Sequence, residues 1–184
     1  MRYGSLEYAY AVPFAEALVT NASFRSWVLA RTPFANYGRE ARLRNEAMHA
    51  LRGKSAENWW RSHFTEKCRC NGCSGQETDL LAIFEASDFR FAVHFQVKQP
   101  TDMFPAAKDQ AANYSTRAQC WVTSPPKAVL PHQAASTALL CSATKLVEYA
   151  PHLAKFDTVL TFEEIAKVFP EATAPAMIGT SVPF

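Results

Sequence analysis

Residues 77–114 constrain the fold more than any other part of the chain. They include the segments ETDLLAIFE, FRFAVHFQVKQP and KDQAANY. The first two are short, rich in β-branched and aromatic residues, and bounded by polar breaks, which predicts two neighbouring strands. In the second, Phe91, Val93, Phe95 and Val97 share one face, while Ala92, His94, Gln96 and Lys98 share the other. An amide and an ammonium therefore stand two residues apart on one face. If the two strands pair, Asp79 arrives beside them at the same end. A carboxylate, an amide oxygen and a lysine meeting on one sheet face suit a hard divalent cation and a phosphate.

The rest of the chain predicts a frame for that hairpin. Its 184 residues, 48% hydrophobic and 20% charged, describe one ordinary globular domain, with helices over 1–64, a sheet core over 65–170 and a tail over 171–184. Helical patterning runs over 6–19, where Tyr10, Phe14 and Leu18 form an apolar stripe with Leu6, and Pro13 predicts a kink or a restart. Further helices are expected over 24–30 and 39–51, and from Ser55 through Glu57, Trp59 and Trp60. After the hairpin come a helix over 106–118, a buried strand at Cys120-Trp121-Val122-Thr123, a helix over 134–149 and a short strand over 156–160. Thr161, with Glu164 three residues on, makes a capping box for a last helix ended by Pro170. No apolar run approaches the length that spans a bilayer, and the N-terminus lacks the basic lead and clean apolar core of a signal peptide. The expected compartment is the cytoplasm, with no membrane partner.

Charge and cysteine usage add two more expectations. The net charge is only +2, yet residues 25–69 hold ten Lys or Arg against four Glu. That basic segment is either a solvated helix face or a surface for a phosphate backbone. Cys68, Cys70 and Cys73 fall within six residues, and Cys70 and Cys73 have the two-residue spacing of a zinc knuckle. His63, Cys120 or Cys141 would complete a structural Zn²⁺ site. An iron–sulfur cluster and free thiols are the alternatives.

With Asp79 on one strand and Gln96-Val97-Lys98 on the next, the chain resembles the PD-(D/E)xK nuclease superfamily, whose signature is an aspartate followed by (D/E)xK. On the following helix Gln110 and Tyr114 match the QxxxY motif of the subgroup that includes bacterial recombination exonucleases. The resemblance covers about residues 74–123. It implies an α/β fold with a restriction-endonuclease-like αβββαβ core, a small mixed sheet flanked by helices, and an N-terminal helical extension. The first core strand is then a short piece within 64–69, or is dispensed with.

The resemblance further implies a divalent-metal-dependent nuclease acting on DNA. Asp79, the side-chain oxygen of Gln96 and the carbonyl of Val97 would hold Mg²⁺ or Mn²⁺, and Lys98 would position or help deprotonate the attacking water. Gln110 would hold phosphate or orient that water, and Tyr114 would stack on a base or sugar. The family carries Glu or Asp where this chain has Gln96, one negative charge fewer. Glu77, on the strand face of Asp79, or Glu85 would compensate. Glu57 is the preferred auxiliary carboxylate, and Glu7 and Glu16 are further ones borne on a helix. The alternatives are a weakened or inactive nuclease-derived module that binds nucleic acid, and an interaction protein outside nucleic-acid work.

Overall fold

The computed structural model describes residues 5–53, 56–60, 78–105 and 109–174. In chain order the elements are α1 (Ser5–Thr20), α2 (Ala22–Leu29), β1 (Arg42–Leu43), α3 (Asn45–Arg52), β2 (Leu80–Ala86), β3 (Phe89–Val97), α4 (Gln110–Thr123), β4 (Ala134–Cys141), α5 (Leu146–Leu153), β5 (Thr158–Thr161) and α6 (Phe162–Val168). The strands form one mixed sheet in the order β1-β2-β3-β4-β5. β1, β2 and β3 are successively antiparallel, whereas β3–β4 and β4–β5 are parallel. Helices flank the sheet, so the fold is mixed α/β.

The period-2 pattern of β3 decides what covers each face. Phe91, Val93, Phe95 and Val97 turn into the larger core, with Phe14, Leu18, Phe24 and Leu29 from α1 and α2. Phe14 meets Phe95 and Phe24 edge-on, each at 5.1 Å between ring centroids. Burying each such ring contributes about 1.5–3 kcal/mol. On the opposite face Ala111, Tyr114 and Trp121 of α4 pack over Leu81, Ala92, Leu139 and Cys141 in two smaller clusters.

Several segments differ from the sequence reading. Pro13 lies inside one unbroken α1 and does not restart it. The 39–51 segment divides into β1 and α3, so the first strand sits at Arg42–Leu43, paired with Glu85 and Phe84 at the free edge of β2. Residues 64–69 lie outside the described residues. The helix expected through Glu57, Trp59 and Trp60 does not form. Residues 56–60 are irregular, and their carbonyls are held from α3, with His49 Nε2 donating to Ala56 O at 3.0 Å and Arg52 Nη1 to Asn58 O at 3.0 Å.

Residues 120–123 are the last turn of α4, not a strand. Trp121 falls seven residues after Tyr114 and extends the same buried stripe. The 134–149 helix is instead β4 followed by α5. AASTALLC is buried between β3 and β5 with both faces covered, so it reads as an apolar run without alternation. The cap at Thr161 forms, its hydroxyl accepting from Glu164 N at 3.2 Å, but the Glu164 carboxylate pairs with Arg31. The 175–184 tail lies outside the described residues.

Candidate functional site

The start of β2 and the end of β3 meet at one end of the sheet. The antiparallel register pairs Leu80 with Phe95, so Asp79 falls opposite Gln96 and on its face. Gln96 Nε2 donates to Asp79 Oδ2 at 2.6 Å, and Val97 N donates to the same oxygen at 2.8 Å. Asp79 N donates to the Tyr114 hydroxyl at 2.9 Å, and that hydroxyl reaches Phe95 O at 3.4 Å. One tyrosine on α4 thus ties both strands to the helix above them. Asp79 and Gln96 are 7% and 2% exposed, so the pair sits in a medium of low dielectric.

Lys98 follows on the face of Gln96, a diagonal neighbour of Asp79, which corresponds to about 7–8 Å between such positions. Its backbone N–H continues the ladder to Leu140 O at 2.8 Å. The residue is 6% exposed, and the ammonium lies 5.0 Å from the centroid of the Phe104 ring. Gln110 opens α4 one turn before Tyr114, on the same helix face. Gln96 Oε1 in this pair, and Gln110 Oε1 at the start of α4, are buried oxygens with no hydrogen-bond partner among the described residues. An orphaned buried acceptor is costly and is ordinarily explained by an ion, a water or a ligand.

Other expected members do not join this group. Tyr114 is fully buried with its hydroxyl engaged, so its ring is closed to a base or sugar, and the stacking role is corrected to an anchoring one. Glu85 lies six residues from Asp79 along β2, about 20 Å away. There it is held by Arg44 and Arg90, each at 2.8 Å, so it does not compensate for Gln96. The hydrogen bond from Arg90 is the main cause that keeps its carboxyl below the usual range.

Glu57 is exposed on the irregular 56–60 segment. Glu7 and Glu16 belong to α1, which packs on the other sheet face through Phe14. Glu77, His63, Cys68, Cys70 and Cys73 lie outside the described residues. Of the two further thiols, Cys120 is half-buried, and Cys141 is buried in β4 with its pKa pushed up to about 12 by burial and then by Glu163. A thiol so reluctant to ionise is a poor metal ligand. Among the described residues no three His, Cys, Asp or Glu side chains gather as a metal site. Nor is any described helix long and apolar enough to cross a membrane.

A polar cluster that sequence reasoning missed lies behind the pair. Arg117 of α4 is 2% exposed, and its Nη1 donates to Thr78 Oγ1 at 3.2 Å. His94 Nδ1 lies 3.4 Å from the same hydroxyl, and the His94 ring is 5.1 Å from Trp121 and 6.5 Å from His132. Burial, then His132, then Arg117 hold the His94 pKa well below the ordinary imidazole range. Alternation had put His94 on the face of Gln96, and that was the only signal available. The convergence of Thr78, Arg117 and His132 depends on packing between distant segments.

Compared with protein-family models, with curated proteins and with solved structures, the chain matches none.

Proposed function

We propose that this protein is a divalent-metal-dependent nuclease of the PD-(D/E)xK type, hydrolysing phosphodiester bonds in DNA. The proposal rests chiefly on one observation: Asp79 and Gln96 stand in hydrogen-bond contact across β2 and β3, with Lys98 next on the same face. The order α1, α2, β1, α3, β2, β3, α4, β4 supports a restriction-endonuclease-like αβββαβ core around them, with α2 and α3 as additions before and after the short β1.

The donors suit a hard cation. Gln96 Oε1 is buried without a partner, and Asp79 supplies a carboxylate beside it. Mg²⁺ or Mn²⁺ held by Asp79, Gln96 Oε1 and the Val97 carbonyl would supply the Lewis acidity that makes water a nucleophile near neutral pH. The protein's own groups do the rest. The N–H groups of Gln96 and Val97 fix the Asp79 carboxylate, Tyr114 fixes the start of β2, and the Lys98 ammonium stabilises charge growing on the phosphate oxygens. Gln110 Oε1 is left to orient water or a donor on the substrate.

A second reading is favoured by the 2.6 Å bond from Gln96 Nε2 to Asp79 Oδ2, which satisfies the carboxylate without a cation. On that reading the site grips a phosphate backbone and does not cut it. Gln96→Glu separates the two. An anionic ligand raises Mg²⁺ affinity and cleavage if the site is an enzyme. If the site is a binding module, the added charge repels the backbone, and metal-free affinity falls with no cleavage gained. Cleavage and EDTA-treated binding, measured for both proteins across a salt series, decide; no change in either would reject this face as the functional site.

A further inference from the structure

We propose that Phe104 is the positioning residue of the site: its ring holds the Lys98 ammonium in place of a carboxylate counter-ion. The inference rests on the nuclease reading of Lys98 and extends it to a residue that no motif contains. An ammonium on a residue only 6% exposed needs compensation, and among the described residues Lys98 makes no ion pair. The Phe104 ring, 5.0 Å from Nζ, supplies it through the negative face of its quadrupole.

The choice of partner matters chemically. A carboxylate would neutralise the lysine and occupy its N–H donors. An aromatic face stabilises the charge and leaves three N–H groups for phosphate oxygens.

The ring is itself held in place. It meets Tyr149 edge-on at 5.0 Å and stacks on His152 at 4.4 Å. Tyr149 donates its hydroxyl to Asp102 O at 2.6 Å, and the turn from Lys98 to Phe104 is closed by Gln99 Nε2 on Asp102 Oδ1 at 2.8 Å and Asp102 N on Gln99 O at 2.9 Å. The β3 end, the turn and α5 therefore set where the lysine stands.

The test compares Phe104→Leu with Phe104→Trp, which keeps a π-face and guards against a variant that merely misfolds. In the wild type the Lys98 ε-methylene protons resonate upfield of a free lysine, through the ring current. Phe104→Leu abolishes that shift, and Phe104→Trp retains it. Mg²⁺-dependent cleavage of duplex DNA falls about ten-fold in Phe104→Leu and stays within about two-fold in Phe104→Trp. An unshifted Lys98 in the wild type overturns the proposal, as does equal cleavage by wild type and Phe104→Leu. If the wild type cleaves nothing, the nuclease reading fails, and the Phe104–Lys98 contact is judged by the chemical shift alone.

Discussion

Tyr114 shows how much of the site hangs on single atoms. Its hydroxyl accepts from Asp79 N and reaches Phe95 O, all within a buried setting. Tyr114→Phe leaves a buried N–H without its acceptor, which costs about 1–3 kcal/mol. At this chain length that lowers the melting temperature by about 2–4 °C per kcal/mol, and an unchanged melt would show that the bond contributes nothing. His94 makes a prediction about pH. Its folded pKa is depressed well below 6.5, and burial chiefly lowers that of His132 too. The unfolded chain binds protons that the folded one refuses, so stability is complete above about pH 6.5 and is lost as the pH falls below it. The unfolding free energy from urea titration should drop between pH 7 and 5, by up to about 1.4 kcal/mol per pH unit for each histidine. His94→Gln should flatten the slope, and an equally steep slope in that variant would assign the effect elsewhere.

Among the elements, the β2–β3 hairpin was the most legible, because FRFAVHFQV alternates strictly and its apolar half needs a core. Its two-residue turn, Ser87-Asp88, closes on the Ala86–Phe89 pair with Ser87 at φ 50°. Glycine has no steric penalty there, so Ser87→Gly should stabilise the protein by about 0.5–1 kcal/mol, read from the melt; a loss would mean that the serine side chain has a compensating role. Other elements were not legible, for local reasons. Two residues of β1 show no period. The β4 sequence AASTALLC has helix-forming alanines and leucines and is a strand only because β3 and β5 enclose it. Trp121 and Val122 look strand-like in isolation, yet Trp121 continues the buried stripe of α4. Asp79, Gln96 and Lys98 could be found because alternation alone puts the last two on one face. Phe104, Arg117 and His132 could not, since nothing local ties them to that face.

At the scale of the molecule, α1 and α2 seal one sheet face with aromatic packing, while α4 covers the other and brings Tyr114 and Gln110 over the strand ends. A hydrophobic core on one side thus supports a polar group at one sheet end on the other. The central proposal, that this group handles a phosphodiester, is tested most directly at Lys98, which follows the Asp79–Gln96 pair on the same face. The direct measurement is cleavage of single- and double-stranded DNA by wild type and Lys98→Ala, in Mg²⁺ or Mn²⁺ and then in EDTA, beside the thermal melt of each. The expected result is metal-dependent cleavage that EDTA stops and that Lys98→Ala lowers by about 100-fold or more, while the variant still melts in one cooperative transition. Cleavage that persists in Lys98→Ala alongside a lowered melt would make Lys98 a structural residue and contradict the proposal.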